Sequence, residues 1–331
     1  MSNAIPMIGK RLVLCLALLL TGLASCPASE LYFVDAHSQV DREVDDLGLI
    51  LRDMDRNGVY RTILAARSDR TPDEVAAFAG DSGGRIVPAI RTKSGAYAAN
   101  RRGYYDKLDE QDASGQFTAM AEILLYHAQK GDKAEEVDVL ASDPRVQYAL
   151  GIARREGWPF VIHIEFASLH GRHRRQHMQA MEEMLEKFPG QPFCLNHMGQ
   201  LSLDEVTRLI HDHPNLYFLT AHTNPYIIQR SQEPWTNIFR GRELEPRWKA
   251  LIVSHPRRFV FALDNVWARH WRDYYDQQMD YWRRAVAGLP EPAASLLAHG
   301  NAERLWGLAP RPDTGWTHRL PEPSTLSCRE C

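Results

Sequence analysis

From residue 31 onward the chain alternates short apolar runs with longer amphipathic segments. The apolar runs cover 31–36, 61–66, 86–90, 119–126, 159–166, 192–197, 216–221 and 259–264. Their length suits strands buried on both faces, as in a parallel sheet covered by helices. Between them lie helix-patterned stretches at 41–57, 71–79, 144–156, 174–188, 203–211 and 245–254, with 272–287 after the last run. Eight strands with intervening helices predict an α/β chain folded as a closed (β/α)8 TIM barrel. An open doubly wound sheet is the alternative. Its dinucleotide-binding form is weak, because no glycine-rich phosphate fingerprint follows the first run.

Polar residues recur at one phase of this pattern. His37 follows the first run, Arg67 the second and Arg91 the third; Glu122 lies within the fourth and His163 and Glu165 within the fifth. His197 ends the sixth run, His222 follows the seventh and Asp264 ends the eighth. In a barrel all these strand ends meet around one mouth, where catalytic residues collect. Taken singly, each histidine is readable as a satisfied core residue and each acid as a helix cap. Recurrence in separate units is what points to a site. The first strand reads "FVDAHSQVD", and His37 and Gln39, two apart, share one face of it.

Other constellations give open readings. Arg67, Arg91 and the cluster Arg172, Arg174 and Arg175 put positive charge near the mouth, the cluster at a helix start where the dipole disfavours it. This fits a carboxylate-bearing small-molecule substrate or plain surface charge. Tyr226, Trp235 and Trp267 lie near strand ends and are candidates to wall a substrate pocket. His173 and His177 are spaced i, i+4 like a zincin pair but lack its glutamate, and read as a solvated helix face.

With 331 residues the chain can build a sizeable core, and a net charge of −3 argues against nucleic acid as a partner. Lys10 and Arg11 precede the apolar segment 12–23, which is short for a membrane span and suits a signal peptide. The sequence Leu23-Ala24-Ser25-Cys26 resembles a bacterial lipobox, making Cys26 the expected lipidation site, with ordinary secretion and cleavage after Ala28 as the alternative. The expected organisation is a signal peptide at 1–25, a barrel at 26–309 and a Pro-rich tail at 310–331. The protein would then be exported and tied to a membrane by lipid alone, facing the periplasm or exterior. Cys194 reads as a buried core residue, and Cys328 and Cys331 as tail decoration.

Taken in order, D-x-H on the first strand, "VIHIE", "CLNHMG", "VFALDN" and the closing "GNAERLWGL" resemble the amidohydrolase superfamily, in its amidohydrolase-2 branch, over roughly residues 31–308. The resemblance implies a barrel whose mouth holds one or two divalent ions, commonly zinc, for hydrolysis. It also includes decarboxylases and metal-independent lactonases. It implies His37, His163 and Asp264 as metal ligands, His197 as ligand or catalytic residue, and Asp264 as acceptor of the proton from water. Imidazoles and a carboxylate suit zinc and activated water. Gln39 departs from the pattern: a neutral amide binds a cation more weakly than imidazole and is suited to hydrogen bonding with substrate. Glu122 is either a further metal ligand or the partner of an arginine such as Arg91. The expected activity is cleavage of an ester, lactone or amide bond by metal-activated water. The alternatives are metal-independent hydrolysis, decarboxylation, or a non-catalytic binding lipoprotein.

Overall fold

The computed structural model of the protein describes Met1 and residues 31–130 and 135–312. The segment expected to be a signal peptide, Cys26, Cys328 and Cys331 lie outside the described residues. The strands are β1 (Phe33–Val40), β2 (Val59–Ala66), β3 (Ile86–Ile90), β4 (Ala119–Met120), β5 (Ile123–His127), β6 (Val137–Asp138), β7 (Phe160–Ile164), β8 (Phe193–Leu195), β9 (Leu216–Leu219), β10 (Phe239–Arg240), β11 (Glu243–Leu244) and β12 (Phe259–Val260).

Parallel pairing runs β1-β2-β3-β4 in one sheet and β5-β7-β8-β9-β12 in another, with β6 antiparallel on the outer edge of β5. The two sheets are one closed ring. β4 and β5 are halves of a single strand interrupted at Ala121 and Glu122, the first half pairing with β3 and the second with β7. At the other seam, Ala36 N donates to Phe261 O at 3.0 Å, Asp264 N to His37 O at 2.8 Å and Gln39 N to Asn265 O at 2.7 Å. The fold is therefore the (β/α)8 barrel, and the open-sheet alternative is excluded.

Local chemistry explains where the helices start. Helices Pro72–Asp81 and Leu203–Asp212 open with reciprocal capping boxes, Thr71 with Glu74 and Ser202 with Glu205. Asp143 caps Pro144–Glu156, which Gly157 ends in the left-handed conformation that favours glycine. The first helix begins at Gly48, later than the pattern predicts, because Arg70 donates to the carbonyls of Asp41 (3.1 Å) and Val44 (2.5 Å) and holds that stretch as a loop. Helix Arg102–Ala113 was not apparent in the hydrophobic pattern: only Tyr104, Leu108 and Gln111 on it are buried.

Two apolar layers fill the interior. Small residues such as Val34, Ala36, Ala65, Ala89, Ala119 and Ala262 line the inside of the ring. Large ones, among them Phe33, Phe160, Phe193 and Phe259, pack between strands and helices. Cys194 is fully buried in the inner layer, as expected.

A β-bulge in β1 sets up the site. Val34 and Ala36 belong to the inner layer, which by simple alternation would place Ser38 there next. The register instead slips between Asp35 and Ser38, so that three residues on β1 span two on β2. The extra residue moves His37 and Gln39 to the inner face and leaves Asp35 and Ser38 together on the outer one.

Candidate active site

The ends of β1, β8 and β12, with the break between β4 and β5, deliver the side chains at the centre of the mouth. The bulge aims His37 and Gln39 inward, and the outward pair anchors them. Asp35, fully buried, accepts from Ser38 Oγ (2.6 Å), His37 N (3.2 Å) and Leu263 N (2.9 Å), while Ser38 Oγ accepts from Asn265 N (3.0 Å). This knot ties β1 to the residues around Asp264. Burial pushes the Asp35 carboxyl up to about 7 despite those donors.

Strand ends turn sharply to present the remaining groups. His197, His222 and Asp264 all have positive φ, at 51°, 57° and 48°. Such a conformation costs a non-glycine residue roughly 1–2 kcal/mol and persists where its surroundings hold it. Here Asp264 is held from both sides, its N–H bonded to His37 O and its carbonyl accepting from His222 Nε2 at 3.0 Å.

Glu122 is the node of the cluster. Its Oε2 accepts from His163 Nδ1 at 2.9 Å and Asn196 Nδ2 at 2.5 Å, and its Oε1 pairs with the Lys93 ammonium and accepts from Gln39 Nε2 at 3.4 Å. Gln39 Nε2 also donates to Asp264 Oδ1 at 2.9 Å. The amide nitrogen of Gln39, rather than its oxygen, therefore faces the carboxylates. Despite burial, Lys93 and the neighbouring histidines hold Glu122 well below the usual carboxylate range.

The histidines divide by tautomer. His163 donates from both nitrogens, to Glu122 and, at 3.2 Å, to Glu165 Oε1. Burial opposes its charge, but those two carboxylates raise its pKa to about 9, making it an imidazolium. Its ligand atom lies within 4.8 Å of those of Glu122 and His197, a set that could hold a metal ion in place of the proton. His197 is lowered by burial and neutral. Its Nδ1–H donates to Ala221 O at 3.3 Å, and Asn196 Nδ2 donates to its Nε2 at 3.2 Å. That Nε2 lone pair lies 3.3 Å from Asp264 Oδ2.

His37 Nε2 is buried with no hydrogen-bond partner, 3.5 Å from Asp264 Oδ1 and 3.7 Å from Glu122 Oε1. Burial works against charge on His37, but Glu122 and Asp264 prevail and raise its affinity for a proton. Two imidazole nitrogens thus face carboxylate oxygens at 3.3–3.7 Å. Such a contact is satisfied by a proton or a cation. A tetrahedron of 2.0–2.1 Å zinc bonds has edges of about 3.3 Å, so the spacing around His37 suits a divalent ion. The ligand atoms of His37, Glu122 and Asp264 all lie within 4.8 Å of one another.

Residues around the rim are more mixed. Arg67 stacks on Trp267 with its guanidinium 3.9 Å from the ring, and its Nη1 is buried without a partner. Trp235 packs 4.5 Å from His197 and 5.0 Å from His222. Lys130 bridges Glu165 (2.8 Å) and Glu233 (3.1 Å), with its ammonium 5.0 Å from the Trp235 ring.

Four expectations are corrected. Arg91 spends its guanidinium on the carbonyls of Lys93 (3.0 Å) and Ser68 (2.8 Å), so it supports loops and does not pair with Glu122. Tyr226 contacts Arg230 and Tyr274 rather than the cluster. Arg174 pairs with Glu205 and lies over Phe166, which accounts for its charge without an anion. His177 is not on a solvated face but buried. Sequence reasoning missed Lys93, Lys130, Asn196 and the Asp35–Ser38 knot. Only Asn196 carried a signal, standing beside His197 in "CLNHMG".

Comparison with solved structures supports the fold. A Pseudomonas putida protein described as a 2-pyrone-4,6-dicarboxylic acid hydrolase superposes with a TM-score of 0.55 at 13% identity, covering 85% of this chain and 99% of that one. 4-Oxalomesaconate hydratase from Rhodopseudomonas palustris gives 0.55 at 12% identity, covering 83% and 96%. An Acinetobacter baumannii protein, also described as a 2-pyrone-4,6-dicarboxylic acid hydrolase and holding citric acid, gives 0.52 at 9% identity, covering 84% and 100%. No curated protein matches the chain. The sequence model of the amidohydrolase family matches residues 125–308, more than half of the chain. With that match, and with a barrel mouth built of buried imidazoles and carboxylates, the chain belongs to the amidohydrolase family.

Proposed function

We propose that the protein hydrolyses an ester, lactone or amide bond of a carboxylate-bearing small molecule, with a divalent metal ion, zinc by donor chemistry, held by His37, Glu122 and Asp264. The observation that carries this reading is the unpartnered, buried Nε2 of His37 between two carboxylates. When bound, the ion would supply Lewis acidity toward a carbonyl and toward water. Asp264 stays ionised although buried beside Glu122, because the charge favoured on His37 holds its carboxyl below the usual range, and its Oδ2 is available to take a proton from water. His197, with its Nδ1–H fixed on Ala221, presents Nε2 toward the same space. Gln39 and Asn196 orient the carboxylates. Arg67, flat on Trp267 with Nη1 free, is suited to receive a substrate carboxylate. The dicarboxylic acid in one neighbour's description and the citric acid bound to another support that substrate class.

A second reading rests on Lys93. Its ammonium already neutralises Glu122 Oε1, and Lys130 and the His163 imidazolium answer Glu165. A hydrolase or decarboxylase using this internal cation would need no metal. Metal analysis of the purified protein, with a screen of esters, lactones, amides and aromatic acids with and without chelator, separates the two. Chelator-sensitive hydrolysis restored by zinc is expected; turnover unaffected by chelator in metal-free protein would transfer the function to the second reading.

Exported, lipid-anchored placement is also proposed, on the strength of Leu23-Ala24-Ser25-Cys26. Among the described residues no helix is long and apolar enough to cross a membrane. Cys26→Ser is expected to move the protein from the membrane to the soluble fraction; a variant that stays membrane-bound, with no labelled fatty acid on the wild type, refutes the anchor.

A further inference from the structure

The helix that follows β7, Gly171–Lys187, carries His173 and His177 one turn apart, and both reach one acid on a different element. His173 Nε2 lies 2.9 Å from Asp138 Oδ2, and His177 Nε2 lies 2.8 Å from Asp138 Oδ1. The imidazole centroids are 5.0 Å apart. Asp138 ends β6, directly opposite Tyr126 of β5, and the Tyr126 ring stands edge-on to both imidazoles. These groups share no residue with the mouth cluster.

We propose that Asp138, His173 and His177 form a second divalent-metal site, of the zinc class, that clips β6 to helix Gly171–Lys187. Two imidazoles at i, i+4 and a carboxylate are a three-donor set for zinc, leaving an open position for water. Separations of 2.8 and 2.9 Å fall a few tenths of an ångström short of the roughly 3.3 Å edge of a zinc tetrahedron, so small side-chain shifts admit an ion. The alternative is a hydrogen-bonded latch in which each imidazole donates an Nε2–H. In that latch the Asp138 carboxylate draws the proton to His177 Nε2 and leaves the buried Nδ1 without a partner; an ion would take the place of the Nε2 protons and put the His177 proton on Nδ1. Entry is open: Asp138 and His173 are 43% and 42% exposed at the side chain, whereas His177 is 1% exposed. A further negative charge stands close by, since Tyr126 OH donates to Glu136 Oε2 at 3.1 Å.

The missing acceptor for His177 Nδ1 has a consequence for affinity. Loss of such an outer hydrogen bond weakens metal binding by about 10–100-fold, so the clip is a reversible site rather than a permanent one. Its place gives it leverage on the mouth. β6 pairs with the end of β5, just before Lys130 reaches Glu165 and Glu233 at the mouth, and an ion at Asp138 would hold β6 to the helix.

The test is titration of chelator-stripped full-length protein with zinc and with cobalt, comparing wild type with His173→Gln, Asp138→Asn and Glu122→Gln. Wild type is expected to bind one metal equivalent more than His173→Gln and Asp138→Asn, and Glu122→Gln to keep that Asp138-dependent equivalent. Zinc at a hundredfold excess over Kd should raise Tm by roughly 5 °C in Glu122→Gln and leave it unchanged in Glu122→Gln carrying His173→Gln. Equal stoichiometry and affinity in wild type, His173→Gln and Asp138→Asn would overturn the site, as would loss of that equivalent in Glu122→Gln alone. Because the readout is metal bound away from the mouth, it stands or falls separately from the proposed hydrolysis.

Discussion

Asp264 and Lys93 are the two residues whose replacement separates the readings of the mouth most sharply. Asp264→Asn keeps side-chain size and the backbone contacts with His37 and His222 but removes the proton acceptor, so turnover should fall roughly 100-fold or more with little loss of stability. Steady-state rates and a melting curve on the same preparation check it; unchanged turnover moves catalysis away from the eighth strand. Lys93→Met removes the ammonium that competes with an ion for Glu122 Oε1. Under the metal-dependent reading zinc affinity should rise, while under the metal-free one activity should collapse with no metal bound; parallel zinc titration and rates decide. Of this chemistry, the sequence made visible the histidines and acids that end apolar runs. It did not make visible Lys93, which belongs to a loop without pattern, or the difference between His163 and His197, which depends on Glu122 and Ala221, each more than 20 residues away, as well as on near neighbours.

At the scale of elements, the helices with strong caps were legible to within a residue or two, because a capping box and a stop glycine are local signals. The turns after the strands were not. β8 is followed by four consecutive residues at positive φ, His197, Met198, Gly199 and Gln200. Nothing in "NHMGQ" apart from its glycine announces that conformation. The β1 bulge was equally hidden, since plain alternation puts Asp35 on the face of His37, whereas the slipped register separates them. Gly199 has both positive φ and no room: a Cβ there would stand 2.7 Å from Leu195 Cδ2. Gly199→Ala should therefore cost about 1–3 kcal/mol of stability and displace His197. Both a lowered Tm and a lowered kcat are expected. A variant as stable and active as the wild type would show that the turn is not what positions His197.

Over the whole molecule, the two ends of the barrel divide the work. The closing motif "GNAERLWGL", which carried much of the family resemblance, lies at the end opposite the mouth, where Ala302, Leu305 and Trp306 join the inner apolar layer as its floor. Asn301 Nδ2 donates to Pro256 O at 2.7 Å and Phe259 O at 2.8 Å and so anchors the short β12. Glu303 completes the floor: it accepts from Tyr32 OH, just ahead of β1, and pairs with His299 Nδ1 at 3.0 Å, while Tyr32 and His299 stack with centroids 4.0 Å apart. A resemblance carried by this motif thus reports fold more than chemistry. Burial alone would raise the Glu303 carboxyl, but His299 and Tyr32 outweigh it and hold its folded-state pKa below the ordinary value. A depressed carboxyl binds fewer protons folded than unfolded, so its stabilisation is complete above the unfolded pKa of about 4.3 and is lost as pH falls through the folded value. Glu303→Gln should accordingly be less stable than wild type by about 2 kcal/mol at pH 7, the usual worth of hydrogen bonds to a charged group. The gap should narrow steadily below pH 4.3, and activity per folded molecule should not change, because the mouth is untouched. Denaturant unfolding of both proteins from pH 7 down to pH 3 checks the sign. A gap that stays constant over that range would mean that Glu303 stabilises the floor by its shape rather than by its charge.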